Sequence, residues 1–322
     1  MIFVTGGLGF IGHNVVRQLE KRKHEVRIID NCTNYGFVPK DELSYLVKER
    51  KKQFSSILHN FHVADSRLHM VFSTLKPKTV IHLASMPRAK IVNNTPTIAA
   101  RTMIEGLLNL LELCTNNNVK RFVYVSSSMV YGDWDGIIDE HYPCNPKDIY
   151  GTLKLTGEKL VEIWARDNNR EYSILRPSAV YGPLDVEDRV LSKFLLNAMR
   201  GQDIVVKGEQ EVLDFTYVED VAWGITNAAL SNVAVNKIYN VTRNQADRCT
   251  LLDVANMVVE MVGKGNVRVE PKDPRYPSRG KLNSELAKQD FNFNPYVDIE
   301  NGLECYYKWL TESTYWQSKL SK

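Results

Sequence analysis

Proton-transfer chemistry in this chain is best served by the run Tyr150-Gly-Thr-Leu-Lys154. Four residues make about one helical turn, so the Lys154 ammonium and the Tyr150 phenol share a face. A free phenol has a pKa near ~10, roughly three units too high for a base at neutral pH, and a neighbouring cation favours phenolate. Upstream, Ser126-Ser127-Ser128 follow the apolar run Arg121-Phe-Val-Tyr-Val125 and offer a hydroxyl at a strand end. Serines at such a junction also serve as simple caps, and Tyr-x-x-x-Lys alone is a common pattern. The elements that would position these side chains therefore decide their meaning.

Those elements start at the N-terminus. Ile2-Phe-Val4 reads as a buried strand that stops at Gly6-Gly-Leu-Gly9-Phe10-Ile11-Gly12, after which apolar residues recur at helical spacing at Val15, Val16 and Leu19. A strand that turns through glycines into a helix aims backbone N–H groups and the positive helix end at one point, which suits a pyrophosphate. Two registers fit: Gly7, Gly9 and Gly12 give G-x-G-x-x-G, and Gly6, Gly9 and Gly12 give G-x-x-G-x-x-G. The next strand, Glu25 to Ile29, closes on Asp30. An acid about 20 residues past the glycines accepts both adenosine ribose hydroxyls and repels a 2′-phosphate, so the expected cofactor is NAD rather than NADP.

Strands and helices then alternate. A polar loop, Asn31 to Pro39, precedes a helix expected from Asp41 to about Leu58 and a strand near Phe61-His-Val-Ala64 that ends at Asp65. Helix Leu68 to Leu75, strand Thr79 to Ala84, a long helix from Pro96 to Thr115 and the strand before the serines continue the pattern. Such alternation predicts a parallel sheet covered on both faces, with ligands at the carboxyl ends of its strands. Asp30, Asp65, Ala84 and the serines all stand at such ends. The second half is less regular: strand Tyr172 to Leu175 into Arg176-Pro177, helices at Arg189–Met199, Val221–Leu230, Leu251–Val262 and Asp298–Leu310, strands at Ile204–Val206 and Lys237–Val241, and a Pro/Gly-rich loop from Pro271 to Gly280. The expectation is an α/β protein. Residues 1–175 form a doubly wound, Rossmann-type cofactor domain, and residues 176–322 form mainly a smaller substrate lobe interleaved with the last sheet elements.

Composition bounds the partners. A chain of 322 residues with a net charge of +3 gives no reason to invoke nucleic acid or a membrane surface. The basic run Lys48-Glu-Arg-Lys-Lys52 reads as a solvated helix face. Five cysteines, odd in number and without C-x-x-C spacing, suggest neither a disulfide framework nor a metal site. With no run of 18 apolar residues and no signal-peptide pattern, the expected location is cytoplasmic.

Taken together, Thr5-Gly-Gly-Leu-Gly-Phe-Ile-Gly12, Asp30-Asn31, His82-Leu83-Ala84, Val125-Ser-Ser-Ser-Met-Val-Tyr-Gly132, Tyr150-Gly-Thr-Leu-Lys154, Arg176-Pro-Ser-Ala-Val-Tyr-Gly-Pro183 and Asp214-Phe-Thr-Tyr-Val-Glu-Asp220 resemble the extended short-chain dehydrogenases of the nucleotide-sugar epimerase/dehydratase group. The likeness runs from residue 1 to about 310 and favours the Gly6, Gly9, Gly12 register. The resemblance implies NAD held by Gly6, Gly9, Phe10, Ile11, Gly12, Asp30, Asn31, Leu83, Ala84 and Pro177, with Asp65 and Ser66 at the adenine and Lys154 on the nicotinamide ribose. It implies that Ser127 holds a sugar hydroxyl while Tyr150 removes its proton. It also implies a homodimer built on the helices near Pro96–Thr115 and Tyr150–Ala165, with Leu107, Leu108, Leu111, Leu155 and Val161 available to the contact.

Met129 separates the reactions of the group. Its 4,6-dehydratases and decarboxylases carry an acid at this position, and a thioether neither donates nor accepts a proton. A 4-epimerase needs only a base, a retained NAD and room for a 4-keto sugar to turn over. The expected function is therefore 4-epimerisation of a nucleotide hexose or uronate. Another activity of the group (reductase, decarboxylase, 4,6-dehydratase or 3,5-epimerase) or a non-catalytic NAD sensor is the alternative. Departures from the pattern are Ala179 for an asparagine, Leu213 for an arginine and Met103 for an asparagine. The diphosphate then falls to Arg189, Arg248 or Arg279. Lys90 matches in position an arginine of uronate epimerases, and Ser128 and Met129 complete the expected substrate wall.

Overall fold

Short runs of Val, Ile and Phe buried on both faces are stable only inside a parallel sheet covered by helices on each side, and the first half of the chain supplies them at regular intervals. The computed structural model describes residues 1–33, 36, 38–244, 250–274 and 276–320. In chain order the first half runs β1 (Ile2–Thr5), α1 (Gly12–Lys21), β2 (Val26–Ile29), α2 (Lys40–Lys51), β3 (Ile57–His59), α3 (Leu68–Leu75), β4 (Thr79–His82), α4 (Ala89–Asn94), α5 (Pro96–Ala100), α6 (Gly106–Asn116), β5 (Arg121–Val125), β6 (Ile137–Ile138) and α7 (Ile149–Asn168). The second runs β7 (Glu171–Pro177), β8 (Val180–Tyr181), α8 (Val190–Met199), β9 (Ile204–Lys207), β10 (Thr216–Tyr217), α9 (Val218–Leu230), β11 (Lys237–Val241), α10 (Leu251–Val262), β12 (Val267–Glu270), β13 (Lys281–Leu282), α11 (Glu285–Phe291), α12 (Ile299–Glu312) and α13 (Thr314–Leu320).

The main sheet has seven parallel strands in the order β11-β7-β5-β4-β1-β2-β3. Strand order reverses between β1 and β4, which opens a crevice above their carboxyl ends. Val15, Val16 and Leu19 of α1 pack with Val221 and Ile225 of α9 on one face. Phe72 of α3, Leu107 and Leu110 of α6, and Val161 and Trp164 of α7 cover the other. Residues 237–241 come late in the chain, yet β11 pairs with β7 from Lys237↔Ser173 to Val241↔Pro177. Pro177 is the last residue of β7, where its missing N–H costs no ladder bond further along the strand.

Two expectations near the edge strand need correction. The helix from Asp41 ends at Lys51, and the strand lies at Ile57–His59 rather than Phe61–Ala64. An edge strand requires only one partner, and three pairs with β2, Arg27↔Ile57 to Ile29↔His59, suffice here. Phe54 packs against the sheet core from a connecting segment and only mimics helical periodicity. The long helix runs without a break from Pro96 to Asn116, but between α5 and α6 the residues Arg101–Glu105 make a π-helical turn, a feature common at functional sites.

The smaller lobe pairs β9 with β12 and β8 with β10. Leu195, Ile204, Val254, Leu303 and Trp316 form its core. β6 and β13 pair between the two parts, Ile137↔Lys281 and Ile138↔Leu282. These two-residue pairings, and the strand β12, carry too little periodicity to have been legible in the sequence. Among the described residues no helix is long and apolar enough to cross a membrane.

Candidate active site

A cleft of about 880 Å³ lies between the carboxyl ends of the sheet and the smaller lobe. Gly6, Gly9, Phe10, Ile11 and Gly12 form one wall. Gly6 has φ +70°, and a Cβ on it would stand 2.6 Å from the Ala84 nitrogen at the end of β4. A Cβ on Gly12 would fall 2.0 Å from the Gly6 carbonyl oxygen, which already accepts the Gly9 N–H at 2.9 Å. Gly6, Gly9 and Gly12 thus set the turn, whereas a Cβ on Gly7 would run into the Ile28 side chain at 2.8 Å. Helix α1 begins at Gly12 without a side-chain cap, so the positive end of its dipole is left to the cleft.

Asp30 closes this wall. Its carboxylate accepts the Leu8 N–H at 2.9 Å on Oδ2 and the Cys32 N–H at 2.8 Å on Oδ1, one bond per oxygen, leaving lone pairs for a ribose diol. Burial raises its pKa, and those two N–H groups pull it back. Asn31, Leu83, Ala84 and Pro177 also line the cleft. A narrow glycine turn, a helix N-terminus and an acid after the second strand fit the pyrophosphate and the unphosphorylated ribose of NAD.

Asp65 and Ser66 do not line the cleft; Phe61, His62 and Val63 do. The Asp65 carboxylate is engaged by Arg67 through its backbone N–H, Nε and Nη2, at 2.9, 2.9 and 2.6 Å, which lowers its pKa to about 2. The loop after β3 thus presents Phe61, His62 and Val63 to the cleft, with Asp65 and Ser66 just beyond them. Arg50 is a correction, because it sits inside the basic run read as a solvated face. It is 5% exposed, lines the cleft, and donates to the Leu8 carbonyl at 3.0 Å and the Leu184 carbonyl at 2.7 Å. Desolvation brings its pKa down to about 10 despite the nearby Asp185 and Asp30. Helical phase was its only sequence signal: Leu46 and Arg50 are four apart and both buried.

Ser127, Tyr150 and Lys154 all reach the cleft. Asp148 caps α7 by accepting the Gly151 N–H at 2.7 Å, which fixes the turn that carries Tyr150. Ser127 precedes a single 3₁₀ turn, Ser128–Val130, and its hydroxyl accepts the Met129 N–H at 3.2 Å. The Lys154 ammonium donates to the Val125 carbonyl at 2.8 Å and lies over the Tyr124 ring, 5.3 Å from its centre. Burial lowers its pKa to about 8, and the charge of Glu158 works the other way. Burial raises the Tyr150 phenol, while the Arg189 charge and a hydrogen bond with Ser127 pull it down. Arg189 thus bears on the phenol as a cation, a role the sequence did not point to. Met103, on the π-helical turn, is buried with Met86, Val92 and Ala99, and Tyr150 packs against this group.

The expected substrate residues are unevenly placed. Lys90, Ser128, Met129, Arg189 and Arg279 line the cleft; Arg248 lies outside the described residues. Ser128 is buried and donates to the Ser178 hydroxyl at 3.1 Å. Arg189 donates to the Pro87 carbonyl at 3.1 Å, and the neighbouring Arg88 binds Asp188 in return, so the loops after β4 and β8 are clasped across the cleft mouth. Arg279 Nη1 contacts the Met129 sulfur at 3.8 Å. Ala179, in the place of an asparagine, has φ +38°. Among the described residues no group of three His, Cys, Asp or Glu side chains is placed to hold a metal ion.

Comparisons with known proteins agree with this architecture. Over 313 residues the chain is 31% identical to an uncharacterized UDP-glucose epimerase of Bacillus subtilis, YtcB, covering 94% of this chain and 95% of that one. The structure of a UDP-glucose 4-epimerase from Thermotoga maritima with UDP-glucose superposes with a TM-score of 0.84 at 26% identity, covering 97% and 98% of the two chains. A UDP-glucuronic acid 4-epimerase from Bacillus cereus, solved with UDP-glucuronic acid and NAD, shares the fold at a TM-score of 0.88 and 22% identity over 97% and 99%. Residues 2–242 match the model of one family. The chain belongs to the NAD dependent epimerase/dehydratase family.

Proposed function

We propose that the protein is a nucleotide-sugar 4-epimerase acting on an NDP-hexose or NDP-uronate. The observation that supports this most is the pairing of an intact Ser127, Tyr150 and Lys154 set with a thioether, Met129, on the same cleft wall. Bound NAD supplies a two-electron acceptor and donor at the sugar C4, so the overall reaction has no net redox change. Ser127 holds the C4 hydroxyl, and Tyr150 takes its proton and later returns it. Burial holds the Tyr150 phenol above its ordinary pKa, the Arg189 charge and the Ser127 hydrogen bond oppose that rise, and the positive nicotinamide of bound NAD would favour phenolate further. Met129 offers no acid to expel water or to protonate carbon. Gly6, Gly9, Gly12 and Asp30 would hold the cofactor, while Arg189 and Arg279 would meet the substrate anion.

The test is turnover in D2O with a panel of UDP-, GDP-, CDP- and dTDP-sugars, followed by NMR. A 4-epimerase yields a C4 epimer without carbon-bound deuterium. A 4,6-dehydratase or 3,5-epimerase must protonate carbon and would incorporate it, which would defeat the reading.

A homodimer is part of this proposal. Leu107, Leu111 and Val161 turn out to be buried against the sheet, but Leu108 is 48% exposed and Ile163 46% exposed, on α6 and α7. Those two remain free to meet a second copy.

A further inference from the structure

Tyr150, Lys154 and Glu158 recur every four residues along α7 and so lie along one face. The first two line the cleft, and Glu158 is fully buried behind them. Its carboxylate accepts Arg176 Nε at 2.9 Å and Nη2 at 2.6 Å, and the Ser126 hydroxyl at 2.5 Å. Arg176 is the penultimate residue of β7, and Ser126 directly follows β5. One carboxylate therefore ties the ends of two neighbouring strands to the helix that carries Tyr150.

The residues next in line are all at the site. Ser127 follows Ser126, and Pro177 follows Arg176. Val125, just before Ser126, gives its carbonyl to Lys154. Arg176 Nη1 reaches on to the Tyr131 hydroxyl at 2.9 Å, and that hydroxyl donates to Asn240 at 2.8 Å on β11. Burying a carboxylate and a guanidinium is costly, and such pairs add little net stability over apolar residues of similar volume. What three charge-assisted bonds to one carboxylate do supply is fixed geometry.

We propose that Glu158 is a positioning residue for the reaction, fixing Ser127 relative to Tyr150 and Lys154 through Ser126 and Arg176. The proposal rests on Ser127, Tyr150 and Lys154 being the reacting set. Tyr124 of β5 and His82 of β4 also face the ammonium, but burial keeps both neutral: it lifts the phenol and lowers the imidazole to about 3. Arg176 of β7 and Cys144 face Glu158 from the other side, with burial raising the thiol. Glu158 is thus the carboxylate that acts on Lys154. Without its charge the ammonium is lost at lower pH.

The experiment compares Glu158→Gln, Glu158→Asp and Ser126→Ala in the full chain, with Tyr150→Phe as control, measuring NAD content and the pH profile of NDP-sugar turnover. Glu158→Gln should lower kcat about tenfold or more with KM within about threefold, the pattern of misplaced rather than missing contacts. Its alkaline limb should move to lower pH, and Glu158→Asp should restore part of both. Ser126→Ala should lower kcat without moving that limb, because the carboxylate keeps its charge. Wild-type kcat and pH profile in a folded, NAD-retaining Glu158→Gln protein would overturn the proposal. Should that variant not fold, unchanged kcat in Ser126→Ala would overturn it instead. Near-normal turnover by Tyr150→Phe would instead remove the catalytic reading beneath it.

Discussion

Arg279 rests its Nη1 against the sulfur of Met129, 3.8 Å away, and leaves its buried Nε–H without an acceptor among the described residues. A buried N–H without a partner costs about 1–3 kcal/mol, which an arriving anion can recover. An acid at position 129 would neutralise this guanidinium; the thioether leaves its charge to the substrate. Arg279→Met should therefore raise the KM of the preferred NDP-sugar about tenfold or more and change kcat much less. Steady-state kinetics with unchanged KM would remove Arg279 from the substrate site.

Cofactor choice follows from Asp30. A 2′-phosphate dianion would be placed against a carboxylate already fixed by the Leu8 and Cys32 N–H groups. NAD should bind at least about 100-fold more tightly than NADP, roughly 2.7 kcal/mol. Asp30→Asn should narrow that gap, as read by cofactor titration of the stripped protein. NADP within a few-fold of NAD in the wild type would contradict the assignment.

Tyr150→Phe removes the proton acceptor and leaves the glycine turn and Asp30 untouched. Turnover should fall about a hundredfold or more while NAD stays bound. Met129→Glu should not improve the natural reaction, because a carboxylate there would pair with Arg279 and compete with the substrate. Faster epimerisation by Met129→Glu would show that the position is short of an acid.

Much of this site could be read from the chain because its parts lie at strand ends announced by local pattern. The glycine turn, Asp30, Ser127 and the Tyr150 helix each follow or open an element with clear periodicity. Arg50 was hidden because its neighbours Lys51 and Lys52 are exposed and only helical phase marks it as inward. The edge strand lies four residues earlier than its apolar content suggested, so Asp65 stands on the loop after β3 rather than at a strand end, and Phe61–Val63 line the cleft before it. The Glu158–Arg176 pair joins residues 18 apart in sequence through the register of β5 and β7, information that no single element carries.

Ala179 holds φ +38°, in a left-handed region that disfavours a Cβ but that asparagine adopts more easily. Ala179→Asn should raise the thermal midpoint by about 1–2 °C, the size expected for relieving up to about 1 kcal/mol in a chain of this length. Calorimetry showing a lower midpoint would mean that the strain is compensated at the site.

Lys154 should cost the protein stability at the pH where it serves. Its pKa in the folded state is about 8, against 10.5 for an ordinary lysine, because burial opposes the charge. Between those values the unfolded chain binds the extra proton, so stability rises with pH across this window. Below about pH 8 both states carry the proton and the penalty is fully present. Lys154→Met, similar in length and uncharged, should therefore be inactive yet more stable than the wild type near pH 7. That advantage should shrink as pH rises from about 8 toward 10, by roughly 1.4 kcal/mol per pH unit at most. Urea unfolding of both proteins at pH 7, 8.5 and 9.5 measures it. A difference that is flat with pH, or that grows on the alkaline side, would show that the Lys154 ammonium is not held against a desolvation penalty.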